Sequence, residues 1–452
     1  MVKRFLLDTN ILLNNPRSMT EGFDDNIVII CGTTLQELDK KKTVGGEIGY
    51  KARECCRLLD NLRMQGDIIK GIPLPNKGML MVEPDGVKQE YLPEGFSIQV
   101  PDNRIISTCI HLTKQNEERP VILVTNDISM RINATACGVK VEGYRNDQVE
   151  ESGYTGHTVK EINGDLIDKI HREGVLNISD TEVSDLYENE FVTLKDKDNP
   201  SHSALSVHRS GTLILIKDQT SYNGITAKNS MQNYALWALS APADMIPLVV
   251  LNGPAGTAKT FLSLAAGLDT TYVNQRKGDD GYERIIISRP SAGGFNEMGY
   301  LPGDMKQKLD PLLAPYYDNL KILIAGTGKY KESPEQVRIH MTDMFESGLI
   351  EILALSFVRG RSLMDTYLIC DEAQNASKSL IRDVVTRAGK GTKVVICGDP
   401  NQIDQPTLDR RNNGLVYVAE SMKNSPLCAI CTFSAENSVR SELSKDAVKR
   451  MK

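Results

Sequence analysis

Between Met1 and about Arg145 short β-rich apolar runs alternate with stretches of helical spacing. The runs fall at Lys3 to Leu7, Asn26 to Cys31, Val121 to Thr125 and Val139 to Gly143, and helical patterns fall near Thr34, near Lys51 and after Pro101. Strands alternating with helices predict a parallel sheet covered by helices. From about Asn146 to Gly224 the texture changes. Gly, Ser and Asp rise, and two short alternating stretches stand out, at Glu190 to Lys195 and Thr212 to Lys217. This predicts a linker with a small β module, and a spacer role, because no aromatic-basic stacking platform is visible. From about Ile225 the α/β alternation resumes, with strands expected near Leu248, Ile285, Ile352, Leu368, Val394 and Ala429. The expected fold class is therefore α/β throughout, in three segments over 1–145, 146–224 and 225–452.

At 452 residues the chain exceeds what one hydrophobic core usually serves, which agrees with a multi-domain division. Its 53 basic against 59 acidic side chains give a net charge of -6, which argues against a protein basic all over and leaves room for a local Lys/Arg groove. The apolar run Phe5-Leu6-Leu7 is cut off at once by Asp8, so no signal peptide is expected. No apolar run reaches membrane-spanning length. A cytoplasmic protein without a membrane role is expected, its nine cysteines reduced. Cys55-Cys56 falls on a helical pattern. Cys428 and Cys431 form a lone CxxC inside an apolar run, expected as a buried strand because no second Cys or His pair stands near to complete a zinc site. The six histidines are scattered and suggest no metal.

Chemistry first becomes specific after Pro247 to Leu251. This buried-strand pattern runs into Gly253-Pro254-Ala255-Gly256-Thr257-Ala258-Lys259-Thr260 and then an apolar helix, the context of a phosphate-binding loop. Glycines let backbone N–H groups wrap the β-phosphate, the helix N-terminus adds positive potential, Lys259 reaches the β and γ oxygens, and Thr260 offers its hydroxyl to Mg²⁺. Ala258 stands where Gly normally precedes the lysine, and its methyl group is expected to be tolerated through a negative φ.

A second apolar strand, Thr366 to Cys370, ends in Asp371-Glu372. Ligands gather at the carboxyl ends of strands in open α/β sheets, so Asp371 is expected to hold Mg²⁺ and Glu372 to polarise the attacking water. A third strand, Lys393 to Cys397, ends in Gly398-Asp399-Pro400-Asn401-Gln402, and the Gln402 amide is expected to sense the γ-phosphate. Together with Gln232, Ser288-Arg289-Pro290, Gly299 to Asp304, Asp310-Pro311, Arg359-Gly360-Arg361 and Asp371 to Asn375, these motifs resemble the PhoH ATPase family over most of Ile225 to Lys452. The resemblance implies a P-loop NTPase core like that of RecA and superfamily 1 helicases. It also implies that Gln232 reads the adenine of ATP, that Ser288-Arg289-Pro290 corresponds to a helicase-type nucleic-acid motif, and that Arg440 acts as an arginine finger.

In the first segment Asp8 ends a strand, Glu37 and Asp102 open helices, and Asp127 comes after another strand. Taken singly they fit caps: Thr34 with Glu37 as a capping box, and Asp102 and Asp127 as N-caps. Four carboxylates at one sheet edge would instead repel one another and raise their pKa values unless a cation neutralised them, which points to Mg²⁺ or Mn²⁺. Such a site activates water and stabilises charge on a cleaved phosphodiester. Asp8-Thr9-Asn10, Leu35 to Asp39, Asp102 to Ile105 and Thr125-Asn126-Asp127 resemble a PIN-domain ribonuclease over about Met1 to Arg145, which implies supporting contacts from Asn10, Thr125 and Asn126. Lys40-Lys41-Lys42 is expected as a solvated helix end.

The pairing of these halves is similar to the PIN–PhoH fusion proteins. It implies an ATP-driven RNA helicase joined to a Mg²⁺-dependent endoribonuclease, acting on single-stranded RNA. With one P-loop core per chain, a ring of identical subunits with Arg440 donated in trans would complete each nucleotide site, and the resemblance points to a hexamer. Two other readings stay open: a phosphotransferase whose Arg289 and Arg359/Arg361 clamp a small acceptor, and an N-terminal domain that serves only as a binding scaffold.

Overall fold

The computed structural model describes residues 2–84, 86–144, 149, 151–273, 281–290, 305–326, 331–358, 361–405, 408–439 and 450. The chain divides into two compact units that part between Gln148 and Val149.

The first unit is built on a six-stranded sheet of order β3-β4-β2-β1-β5-β6. Its strands are β1 (Arg4–Leu7), β2 (Ile27–Cys31), β3 (Ile72–Pro73), β4 (Met79–Glu83), β5 (Val121–Val124) and β6 (Lys140–Glu142). All neighbours run parallel except β3 and β4. Phe5, Leu7, Val28 and Ile30 point to one face, and Leu6, Ile29 and Leu123 to the other. Each set is buried in its own core, as expected of strands covered by helices on both sides. The strands β3 and β4 were not foreseen. β4 alternates half-buried and buried positions, and Gly78 and Pro75 beside it gave the stretch the texture of a loop.

In the second unit, residues 149–226 form a five-stranded sheet of order β7-β9-β10-β11-β8 and a two-stranded ribbon. The strands are β7 (His157–Ile162), β8 (Val175–Asn177), β9 (Phe191–Asp196), β10 (Ser203–Arg209), β11 (Thr212–Leu215), β12 (Thr220–Ser221) and β13 (Ile225–Thr226). Helix Gly164–Glu173 buries Ile167 and Ile170 against one face of the larger sheet. From the other face Phe191 and Val207 enter the core of the P-loop domain. Phe191 stacks on Tyr234 at 4.7 Å and meets Trp237 edge-on at 5.9 Å, each such pair being worth ~1 kcal/mol beyond its buried area. The spacer reading is thereby corrected: this sheet shares its hydrophobic interior with helix Ser230–Ser240. The alternation of β7 was weak because it leaves several positions partly exposed.

The P-loop domain carries a six-stranded, wholly parallel sheet of order β16-β15-β17-β18-β14-β19. These are β14 (Leu248–Asn252), β15 (Arg284–Arg289), β16 (Ile350–Ala354), β17 (Thr366–Cys370), β18 (Lys393–Gly398) and β19 (Cys428–Thr432), at the six places the apolar pattern marks. Strand β18 lies between β14 and β17, so the chain leaving it emerges between the P-loop and Asp371. Cys428 and Cys431 are buried in β19 with free thiols, and Cys55 and Cys56 lie on helix Gly46–Arg63. Among the described residues no helix is long and apolar enough to cross a membrane.

Candidate functional sites

In the first unit β2, β1 and β5 are adjacent and parallel, so the residues leaving their carboxyl ends gather at one edge. Asp8 leaves β1 and is buried, 3% exposed. Its Oδ2 accepts from Thr125 Oγ1 at 2.7 Å, and the same hydroxyl accepts the Asp127 N–H at 3.1 Å. Glu37, on helix Gly32–Lys41, accepts a short hydrogen bond from the Thr9 hydroxyl. Asp102 sits in the first turn of helix Pro101–Gln115. Burial pushes the Asp8 carboxyl up to about 6, and the charges of Asp102 and Glu37 push the same way. Asp102 is raised by burial and by Glu37 and Asp127. The four carboxylates therefore lie within electrostatic range along one edge.

Two of the capping expectations fail here. Helix Gly32–Lys41 begins after Cys31 with no side-chain cap, and Thr34 Oγ1 turns to the Leu7 carbonyl, so Thr34 and Glu37 form no capping box. Val100, not Asp102, is the N-cap of its helix. Asp127 does cap, accepting from Met130 N at 2.9 Å. Of the supporting residues, Thr125 bridges Asp8 and Asp127, whereas Asn126 turns to the Tyr144 N–H and Asn10 is exposed. Lys42 pairs with Asp39 at the solvated helix end.

Among the described residues no three Asp, Glu, His or Cys side chains converge closely enough to form a ready metal cage. An edge of spread carboxylates suits an ion that takes one or two carboxylates and keeps several waters, which is how Mg²⁺ binds. The donor set, all oxygen and with Asp8 raised by burial and then by neighbouring charge, fits such an ion.

In the second unit the chain turns sharply out of β14. Gly253 has φ +139, and a Cβ there would lie 2.5 Å from the Phe433 carbonyl oxygen, so the loop needs glycine at this place. Lys259 opens helix Lys259–Leu268 and folds back, its Nζ donating to the carbonyls of Gly253 at 2.6 Å and Pro254 at 2.9 Å. Burial lowers its pKa, while the charges of Asp371, Asp399 and Glu372 oppose that shift. The ammonium thus faces the acidic strand ends across the loop. Thr260 Oγ1 donates to Asp371 Oδ2 at 2.9 Å, joining the two groups proposed for the metal. Burial and Glu372 raise Asp371, and its hydrogen bonds from Thr260 and Tyr316 oppose this.

Ala258 departs from the expectation of negative φ. It sits at φ 71, ψ 20, in the left-handed region, where a side chain costs roughly 1–2 kcal/mol. The loop keeps its shape with Ala in a place suited to Gly. Gln232 is buried, its Oε1 accepting from Lys228 N at 2.9 Å and its amide nitrogen reaching the Thr257 carbonyl at 3.5 Å. Ser288 Oγ is used inside the sheet, donating to the Leu353 carbonyl, and Arg361 pairs with Glu351. Gln402 has an exposed side chain, and its backbone carbonyl accepts from Gln374 at 2.8 Å. Gly299 to Asp304, Arg359, Gly360 and Arg440, and the side chains of Asp310 and Pro311, lie outside the described residues. Val439, the residue before Arg440, donates its N–H to Gly256 of its own P-loop at 3.1 Å.

Two residues at this site were given no role by the sequence reading. Gln374 is fully buried and donates to Glu372 Oε2 at 2.6 Å while accepting from Asp399 N at 3.1 Å. Its place in the run Asp371 to Asn375 was a signal that could have been used. Tyr316, on helix Met305–Ala325, donates to Asp371 Oδ2 at 3.1 Å, and the Asp310-Pro311 motif on the same helix does not single it out.

Comparison with known proteins matches both domains. The profile described as "PhoH-like protein" matches residues 224–452, and that described as "PIN domain" matches residues 5–145. "Protein PhoH2" of Bacillus subtilis is 35% identical over 457 residues, covering 99% of this chain and 100% of that protein. "Protein PhoH2" of Thermobispora bispora is 31% identical, covering 96% of this chain and 93% of its own length, and that of Mycolicibacterium smegmatis is 30% identical, covering 95% and 93%. With both domains matched and the relatives aligned nearly end to end, the chain belongs to the PIN–PhoH fusion family.

Proposed function

We propose that the chain is an ATP-driven RNA translocase of helicase type joined to a Mg²⁺-dependent endoribonuclease that cuts single-stranded RNA. A PIN nuclease-like domain and a PhoH-type ATPase domain stand in the same chain. The observation that carries the reading is that each has an acidic edge at the carboxyl ends of parallel strands, one of them facing the Lys259 ammonium.

In the ATPase half the loop Gly253 to Thr260 binds the phosphates of ATP, Lys259 moves from its own loop carbonyls to the β and γ oxygens, and Glu372, held by Gln374, orients the attacking water. Thr260 and Asp371 would hold Mg²⁺, which supplies charge neutralisation on the transferring phosphoryl group. In the nuclease half Asp8, Glu37, Asp102 and Asp127 would hold Mg²⁺ or Mn²⁺, and the ion supplies an activated water for phosphodiester cleavage. Gln402 as phosphate sensor and Gln232 as adenine reader belong to the same proposal. So does a cytoplasmic, hexameric ring in which Arg440 completes the neighbour's site. Arg361 pairs with Glu351, so the phosphotransferase alternative would have to break that pair to use Arg361 as a clamp.

The deciding experiment measures ATP hydrolysis with and without single-stranded RNA, together with cleavage of labelled RNA by the parent and by Asp8→Asn. Stimulation by RNA and loss of cleavage in the variant support the proposal; a phosphorylated small product, or cleavage unchanged in the variant, rejects it. Light scattering with and without ATP reads the ring. Mixing Lys259→Ala subunits with Arg440→Ala subunits restores hydrolysis only if the arginine acts in trans.

A further inference from the structure

The carboxylate proposed to hold the metal is fixed from three sides. Asp371 Oδ1 accepts the Glu372 N–H at 3.0 Å, and Oδ2 accepts both Thr260 Oγ1 at 2.9 Å and Tyr316 Oη at 3.1 Å. The first two donors come with the P-loop and the strand end. The third comes from helix Met305–Ala325, the helix that carries the Asp310-Pro311 motif about a turn and a half earlier. Tyr316 is 2% exposed, so its hydroxyl has been taken out of water, and among the described residues its hydrogen-bond partner is this carboxylate. A buried phenol of this kind persists when it is hydrogen-bonded, and a donor aimed at a carboxylate makes one of the stronger bonds available.

Arg289, at the end of β15, lies near enough for its charge to act on Tyr316. Strand β15 neighbours β17, which leads directly into Asp371. Tyr316 therefore stands where helix Met305–Ala325, the Ser288-Arg289-Pro290 segment and the acidic strand end meet.

We propose that Tyr316 is a positioning residue for the metal carboxylate: its hydroxyl fixes the rotamer of Asp371 and makes metal affinity at the nucleotide site depend on helix Met305–Ala325. The inference rests on the reading of Asp371 as the carboxylate that holds Mg²⁺. Outer partners that orient a metal-holding group commonly change metal affinity by roughly 10-fold or more when removed.

The same core provides a control. Tyr367, on β17, is also fully buried, and among the described residues its hydroxyl has no hydrogen-bond partner. Tyr316→Phe and Tyr367→Phe each delete one buried hydroxyl and keep the ring. Only the first is expected to change metal binding.

The test compares ADP affinity with and without Mg²⁺, by calorimetry, in the full-length parent and both variants. Binding is read on the folded fraction, so partial unfolding lowers the stoichiometry and leaves the ratio interpretable. Melting in EDTA checks the fold separately. The expected result is that Mg²⁺ strengthens ADP binding in the parent and in Tyr367→Phe alike, and that this gain shrinks by roughly 10-fold in Tyr316→Phe while ADP affinity without Mg²⁺ stays within about 2-fold. An equal gain in both variants overturns the role of Tyr316. A parent whose ADP affinity ignores Mg²⁺ overturns the reading of Asp371 itself, and the inference falls with it.

Discussion

The Gln374 amide donates one hydrogen to Glu372 Oε2 at 2.6 Å and the other to the Gln402 carbonyl at 2.8 Å. The residue next to it makes a second clip, Asn375 Oδ1 accepting the Asp404 N–H at 2.7 Å. The loop after β18 is thus fastened to the acidic pair by two consecutive amides. Gln374→Ala is expected to lower kcat for ATP hydrolysis by roughly 10-fold or more while KM for ATP changes by less than about 2-fold, because Glu372, proposed to orient the attacking water, loses its support and the phosphate cradle is untouched. Steady-state kinetics over a range of ATP concentration decides it; a rise in KM at unchanged kcat would show that the amide serves binding instead.

The left-handed Ala258 makes a prediction in the opposite direction. Ala258→Gly removes the clash of a methyl group at φ 71 and adds chain entropy to the unfolded state. The net gain is expected to be about 0.5–1 kcal/mol in urea unfolding of the second unit. Nucleotide affinity should stay equal or improve.

At the nuclease edge Asp8 is buried with its carboxyl raised to about 6 by desolvation and by neighbouring charge. Holding it ionised at neutral pH without a cation works against the fold. Asp8→Asn is expected to raise the melting temperature in EDTA and to reduce the further rise that MgCl₂ gives the parent. Thermal melting of the full chain with and without the ion checks both halves of the statement.

Lys393 opens β18 with its side chain fully buried, its Nζ donating to the Ala238 carbonyl at 2.8 Å. Burial lowers its pKa from 10.5 to about 7. The folded state therefore releases this proton at lower pH than the unfolded state does. Stability must rise with pH from about 7 towards 10.5, by up to about 1.4 kcal/mol per pH unit from this one group. Below pH 7 both states carry the proton and the contribution is flat. Denaturant unfolding of the parent and Lys393→Met across this range should differ in slope with that sign.

The strands of both parallel sheets were legible where they are buried on both faces, as at Ile285 to Ile287 and Leu368 to Cys370, because such strands are runs of apolar residues. Strands β4 and β7 were harder to see, since half-exposed edges dilute the alternation. The P-loop was legible because strand, glycines, lysine and helix are contiguous. The backbone angle of Ala258 was not, since it depends on how the loop closes over Lys259. Tyr316 was invisible for a different reason: its partner Asp371 is 55 residues away in sequence, and no local pattern marks a tyrosine that serves a distant carboxylate.

The profile match to the ATPase begins at residue 224, yet Gly156 lies so close to β19 that a Cβ would fall 1.8 Å from the Ile430 carbonyl oxygen. Asn189 also reaches across to the carbonyls of Ser425 and Cys428 at 3.1 Å. Excising the ATPase domain at 224 would leave Tyr234 and Trp237 without Phe191 against them and β19 without the chain that covers it. A recombinant fragment beginning near residue 149 should stay in solution, whereas one beginning at 224 should precipitate.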